Sequence, residues 1–252
     1  MNELKISRTH IVMIPSYNTG KLLAITIEEA LQTGWPVWVI IDGSDDGSER
    51  LLEPLKLDYP NALVVITVAE NQGKGAALLL GIQQAKAQGY THVLTMDADH
   101  QHPAEFIDQY MQLSLENTSA MILGKPIFDD SAPMIRVQGR RISNAWVNLE
   151  TLGAGIHDSL FGMRVYPIAD LIATMQTTRW ARRFDFEPEI AVRMAWRGIK
   201  VLNIATPVRY ISEEEGGVSQ FKYGRDNILL IGMHIRLFAG FLWRLPLLLL
   251  RM

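Results

Sequence analysis

Four apolar runs in the N-terminal part of the chain each hand over to a polar, glycine-rich loop, and this repetition limits the fold more than any other feature. His10-Ile11-Val12-Met13-Ile14 leads into Pro15-Ser16-Tyr17-Asn18, and Val37-Trp38-Val39-Ile40-Ile41 into Asp42-Gly43-Ser44-Asp45-Asp46-Gly47-Ser48. Leu63-Val64-Val65-Ile66-Thr67-Val68 leads into Glu70-Asn71-Gln72-Gly73-Lys74-Gly75, and Val93-Leu94-Thr95-Met96 into Asp97-Ala98-Asp99-His100-Gln101-His102-Pro103. Strands that are apolar at successive positions are buried on both faces. Helical stretches separate them, notably Ala76 to Gln88 and Pro103 to Glu116, the second opened by a proline suited to a first helical turn. The pattern predicts an α/β chain with a Rossmann-like, mostly parallel central sheet, helices on both faces, and four loops along one edge.

That edge is where open α/β sheets bind ligands, outside the carboxyl ends of the strands. Asp97-Ala98-Asp99 places two carboxylates there, one residue apart, where a hard divalent cation and a phosphorylated substrate find oxygen ligands; a solvated acidic turn is the competing reading. Gly73-Lys74-Gly75 lacks the Gly-x-x-x-x-Gly-Lys-Ser/Thr spacing of a P-loop, and Leu78 stands where a dinucleotide fingerprint needs its third glycine. What remains is a tight, helix-opening turn that brings Lys74 near the crevice.

In order and spacing these elements resemble the family 2 glycosyltransferases, within them the branch that includes dolichyl-phosphate mannose synthase. Ile14 to Asn18 resembles the opening nucleotide-sugar loop, Asp42 to Ser48 the second acidic loop, Asn71 to Ala77 the Gly-Lys-Gly loop, and Asp97 to Pro103 the metal motif. The likeness continues through Gly139-Arg140-Arg141-Ile142-Ser143-Asn144, Asp158 to Tyr166 with Gly162-Met163-Arg164, Phe184-Asp185-Phe186-Glu187, Pro207-Val208 and Gly216 to Phe221. It departs from the family's pattern at Ile41, where the first of two paired aspartates is usual, at His100, where a glycine is common, and at Glu213-Glu214-Glu215, where a basic residue is expected.

The resemblance implies a GT-A fold, a nucleoside-diphosphate sugar donor, a divalent cation (Mg²⁺ or Mn²⁺) and inversion at the anomeric carbon. It implies donor contacts from Pro15, Tyr17, Asn18, Asp42, Gly43, Ser44, Gly73, Lys74, Gly75 and Asp97. Asp99, with Asp97 or Gln101, is expected to hold the cation, which neutralises a diphosphate leaving group as a Lewis acid. His100 and His102 are weaker candidate ligands. Glu187 or Asp185, in the first turn of a predicted helix, is the candidate general base; helix-dipole stabilisation alone would also place acids there, and a phosphate acceptor would need no base. Arg140 and Arg164 are the candidate acceptor or phosphate contacts, with Arg136 and Arg141 nearby.

The 252-residue chain has a net charge of −3 and no cysteine, so it offers no general basis for nucleic-acid affinity and excludes disulfides, thiolate zinc sites and cysteine nucleophiles. No signal-like N-terminal segment is present, and a cytoplasmic catalytic body is expected. The tail changes character: a catalytic domain over 1–225 is expected to pass into an apolar and basic segment over 226–252. His234, Arg236, Arg244 and Pro246 interrupt the roughly 20 apolar residues that a spanning helix needs. C-terminal amphipathic helices with Arg236, Arg244 and Arg251 toward anionic headgroups are expected instead, peripheral on the inner face of a membrane; packing on the domain or on a second subunit is the alternative. The overall expectation is a glycosyltransferase acting on a lipid-linked or membrane-located acceptor. A transferase with a soluble acceptor and a dimerising tail, or a non-catalytic nucleotide- or glycan-binding scaffold, stands beside it. A haloacid-dehalogenase phosphatase is disfavoured, because His100 follows Asp-x-Asp and the motif lies far from the start of the fold.

Overall fold

A computed structural model describes residues 7–128, 134–211 and 223–250. The side chain of Arg136, the Glu213–Glu215 run, the motif at Gly216 to Phe221 and Arg251 lie outside the described residues. The elements follow as β1 (His10–Ser16), α1 (Leu22–Gln32), β2 (Val37–Asp42), α2 (Glu53–Asp58), β3 (Leu63–Val68), α3 (Lys74–Ala87), β4 (His92–Thr95) and α4 (Ile107–Glu116). Next come β5 (Ala120–Ile127), α5 (Met134–Glu150), β6 (Arg164–Pro167), α6 (Ile168–Met175), α7 (Phe186–Trp196), β7 (Lys200–Pro207) and α8 (Tyr223–Leu249).

The strands form a seven-stranded sheet in the order β3-β2-β1-β4-β6-β5-β7. Only β6 runs antiparallel to its neighbours β4 and β5; the other pairs are parallel, as expected of this sequence. Two-residue periodicity explains the two cores. Ile11 and Met13 of β1 join Trp38, Ile40, Val93 and Leu123 on one face, covered by Leu78 and Ile82 of α3, Leu171 of α6 and Ile190 of α7. Val12 and Ile14 join Val39, Ile41, Leu94 and Ile122 on the other, covered by Ile27 of α1 and Ile107 of α4. Both faces being buried accounts for the absence of polar alternation in β1 and β2.

The tail departs from the expectation in three ways. It is one helix rather than several, and its stretch Gly224–Leu249 is long and apolar enough by length and composition to cross a membrane. One face is nevertheless seated on α5 and α7, through buried Met233, Leu237 and Phe241. The arginines also turn inward. Arg236 lies 3.1 Å from Glu189 and 4.1 Å from the Trp180 ring centre, and Arg244 lies 4.7 Å from the Trp196 ring centre. The reason is electrostatic: Glu189 is fully buried and needs cations, which outranks a place at the surface. What faces outward is apolar, including Ile228, Ile231, Ile235, Leu242 and Trp243, the last 86% exposed.

At the opposite end of the sheet from the loops, the His10 and His92 rings stack at 4.3 Å, and His10 Nε2 meets the Ser114 hydroxyl at 3.1 Å. Burial, and then the second imidazole, lower the His10 pKa from 6.5 to about 4. The unfolded chain therefore binds a proton that the folded chain refuses, and stability present above pH 6.5 is lost as pH falls toward 4. His102, lowered to about 4 by burial, adds to the same slope. We expect urea midpoints to fall across that window, and His10→Gln to make the fall shallower; identical slopes in the two proteins would show that His10 is not the group responsible.

Candidate active site

The carboxyl ends of β1, β2 and β4 open on a crevice of ≈ 1140 Å³ walled by Pro15, Tyr17 and Asn18 after β1, Asp42 at the end of β2, Gly73 and Lys74 at the start of α3, and Asp97, Asp99 and Gln101 after β4. The four loops predicted to share one edge do so. They are held to each other by short polar contacts. The backbone N–H of Asn18 donates to Ser44 Oγ at 3.1 Å, and its side-chain amide donates to Asp45 at 2.8 Å. Both Asp42 oxygens accept backbone N–H groups of the next loop, from Gln72 at 2.9 Å and Gly73 at 2.8 Å.

The turn at Gly73-Lys74-Gly75 is shaped by a second segment, 181–183. Gly73 has φ of +98°, and a Cβ there would run into the Arg182 carbonyl; one on Gly75 would run into that of Ala181. The Gly75 and Ala76 N–H groups both donate to the Arg182 carbonyl, at 3.0 and 3.3 Å. So pinned, α3 begins at Lys74, two residues before the apolar periodicity suggested, and directs the lysine inward.

Lys74 Nζ lies 2.5 Å from Asp97 Oδ1 and also ion-pairs with Glu187 from the first turn of α7. Burial opposes charge on Lys74 and Asp97, yet the two carboxylates raise the Lys74 pKa, and the ammonium holds Asp97 below its ordinary value. Asp99 is pushed the other way, first by burial and then by the Asp97 charge. The Asp97 N–H donates to His102 Nδ1 at 3.0 Å, and burial keeps that ring neutral near neutral pH, with a pKa of about 4. His100 Nε2 lies 2.9 Å from Glu29. Both histidines are thus engaged with other groups.

For a cation, the fit is partial in an informative way. Among the described residues no group of three or more His, Asp or Glu side chains forms a cage. Asp97, Asp99 and Gln101 do line one wall, and the burial that disfavours charge on Asp99 beside Asp97 is what a bound cation relieves. This donor set suits a hard cation that completes its shell with substrate and water oxygens rather than one enclosed by protein.

Several expected contacts sit elsewhere. Gly43, Ser44 and Gly75 form a second layer that shapes the loops, outside the crevice wall. Asp185 does not line the crevice: its oxygens accept the Ala181 and Arg183 N–H groups, both at 3.0 Å. Arg164 is fully buried and donates to the main-chain carbonyls of Phe161 at 2.6 Å and Glu187 at 2.8 Å, so it props α7 instead of reaching an acceptor. Arg140 reaches the wall but pairs with Asp158 at 2.7 Å, fastening α5 to the 158–161 loop. Lys74 was expected toward phosphate and is shared by two carboxylates instead. The apolar end of the crevice carried no sequence signal: Ile135, Ile142 and Trp146 of α5 and Ile231, Ile235 and Phe238 of α8 line it together.

A mostly parallel sheet whose strand tips bear an Asp-x-Asp crevice, with β6 inserted antiparallel, is the architecture of a GT-A glycosyltransferase. A solved structure with this fold, glucosyl-3-phosphoglycerate synthase from Mycobacterium tuberculosis in complex with uridine diphosphate, superposes with a TM-score of 0.60 at 17% identity, covering 96% of this chain and 81% of that one. The chain belongs to glycosyl transferase family 2, whose family model matches residues 11–179. Among its relatives, polyprenol monophosphomannose synthase of Mycolicibacterium smegmatis is 26% identical over 83% of this chain and 80% of that protein. Undecaprenyl-phosphate 4-deoxy-4-formamido-L-arabinose transferase of Salmonella choleraesuis is 27% identical over 85% of this chain, which spans only 63% of that longer protein.

The ion-pair geometry is testable without substrate. Lys74→Met leaves two carboxylates facing each other and should destabilise the fold by about 3 kcal/mol, the usual scale for orphaning a buried ion-pair partner. In the double variant with Glu187→Gln part of that loss should return, giving a coupling energy above about 1 kcal/mol in a urea-unfolding cycle. Strict additivity would mean that Lys74 and Glu187 do not interact.

Proposed function

We propose that this glycosyltransferase moves a sugar from a nucleoside-diphosphate donor to the phosphate of a polyprenyl-type lipid, with inversion, at the cytoplasmic face of a membrane. The observation that carries this reading is the two-part crevice: a carboxylate-lined end at Asp97 and Asp99 runs into a groove between α5 and α8 where Ile135, Ile142, Trp146, Ile231, Ile235 and Phe238 stand beside polar Gln138, Ser143 and His234. An acceptor with an anionic head and a long apolar chain matches both ends at once. The lipid phosphates in the names of the relatives, polyprenol and undecaprenyl, support the same choice.

Asp99 and Asp97, with Gln101, would hold a divalent cation against the donor diphosphate, where it supplies the positive charge that makes the nucleoside diphosphate a competent leaving group. Pro15, Tyr17, Asn18 and Asp42 line the donor end of the same wall. An acceptor phosphate oxygen attacks the anomeric carbon opposite the breaking bond to the diphosphate, which inverts that centre. An ionised phosphate has no proton to surrender. Glu187 therefore serves to hold Lys74 beside Asp97, and Asp185 to shape the turn behind it.

In this reading 1–225 is the catalytic body and 226–252 the docking tail. The tail lies in the membrane plane, because the face carrying Met233 and Leu237 is already packed on the body while Ile228, Leu242 and Trp243 are left for lipid. With Arg236 and Arg244 held inward, membrane binding should depend weakly on salt.

Three measurements test this. Asp99→Asn should abolish cation-dependent binding of the nucleoside diphosphate in calorimetry; unchanged, cation-dependent affinity would remove the role given to Asp99. Glu187→Gln should stay within about tenfold of wild-type turnover on polyprenyl phosphate, whereas a loss of a hundredfold or more would make it a base and point to a hydroxyl acceptor. Ile231→Asp should raise the KM for the lipid acceptor by about tenfold or more and leave the donor KM unchanged; an unchanged lipid KM would exclude the α5–α8 groove.

A further inference from the structure

Arg236 makes contacts that no part of the chemistry above uses. It projects from α8 against the ring of Trp180 at 4.1 Å, with Nη2 3.1 Å from Glu189 Oε2 and 3.7 Å from Asp185 Oδ2. Glu189 is wholly buried and is shared with Arg193 at 2.8 Å and the Thr178 hydroxyl at 3.0 Å. Asp185 accepts the N–H groups of Ala181 and Arg183, and thereby holds Ala181 at φ of +60°, a left-handed conformation that costs energy for a residue with a Cβ. From that strained turn the Arg182 carbonyl accepts the N–H groups of Gly75 and Ala76. Lys74, immediately before these two residues in the chain, meets Asp97 and Glu187 in the crevice.

We propose that Arg236 is a positioning residue: clamped by Trp180, Asp185 and Glu189, it makes the Gly73-Lys74-Gly75 turn depend on α8 being seated on the catalytic body. The path is a contiguous set of hydrogen bonds and ion pairs, each link named above, and it needs no motion of the sheet. Lifting α8 leaves Asp185 and Glu189 with fewer cations in a buried setting, so the cheapest response is for the 178–185 turn to shift toward water. The Gly75 and Ala76 amides then lose their acceptor and Lys74 its fixed direction. The tail thus sets the state of the site as well as the address of the enzyme. This deepens the transferase reading, and its kinetic consequence rests on it.

The test uses the full-length chain with Arg236→Met and Arg236→Lys. Hydrogen exchange followed by mass spectrometry reads the amides of Gly75, Ala76, Ala181 and Arg183 directly. In Arg236→Met these should exchange about tenfold faster while amides in β1 and β4 keep their wild-type protection. On polyprenyl phosphate in vesicles, kcat should fall by about tenfold with the donor KM within about twofold, and Arg236→Lys should recover most of the loss. Should Arg236→Met fail to fold, Trp180→Leu removes the stacking face without orphaning a charge and should give the same exchange pattern. Wild-type protection at residues 75–76 and 181–183, or faster exchange spread evenly over the whole sheet, would overturn the proposal. A wild-type chain inactive toward every lipid phosphate would instead defeat the transferase reading, and the exchange data alone would then decide the role of Arg236.

Discussion

The ammonium of Lys74 stands where three elements of separate origin converge: the start of α3, the tip of β4 through Asp97, and the first turn of α7 through Glu187. A buried carboxylate and a half-buried one at that point would repel each other, and the lysine makes their juxtaposition tolerable. Much of the surrounding construction serves to keep it there. Asp42 ties down the N–H groups ahead of the lysine, the Arg182 carbonyl those behind it, and Arg164 braces the main chain of Glu187 from below. The polar side of the crevice is accordingly held by contacts from three directions, the kind of fixed geometry that the proposed in-line transfer would need.

Charge distribution along the crevice separates its two tasks. Beside the Lys74-paired Asp97, burial and like charge resist ionisation of Asp99, a setting that favours a cation arriving with its own phosphate oxygens. Toward α5 and α8 the wall turns to isoleucine, tryptophan and phenylalanine. A substrate with an ionised head and an apolar chain is bound at both ends by different forces, one steep in distance and directional, the other proportional to area.

The tail helix belongs to both regions. It supplies Ile231, Ile235 and Phe238 to the groove and Arg236 to the cluster behind the Lys74 turn, while Ile228, Leu242 and Trp243 remain uncovered. A helix used on three sides cannot be read from its composition, because each side has different surroundings: the body, the crevice and the open surface.

The sequence by itself determined the sheet, its two apolar cores and the alignment of four loops on one edge, because a strand buried on both faces must be apolar at every position and leaves a local signature. It also determined the acidic motif and the Gly-Lys-Gly turn, and through them the family. Only the tertiary structure decided which charges meet. That Lys74 answers Asp97 and Glu187, that Asp185 holds a turn and Arg164 braces a helix, and that Arg236 and Arg244 face inward all depend on contacts between residues far apart in the chain. Helical periodicity places Arg236 and Arg244 on one face of α8 but is silent on what that face meets. A buried glutamate forty-seven positions earlier in the chain, with no signal of its own in the pattern around it, supplied the electrostatic reason for Arg236 to turn toward the protein.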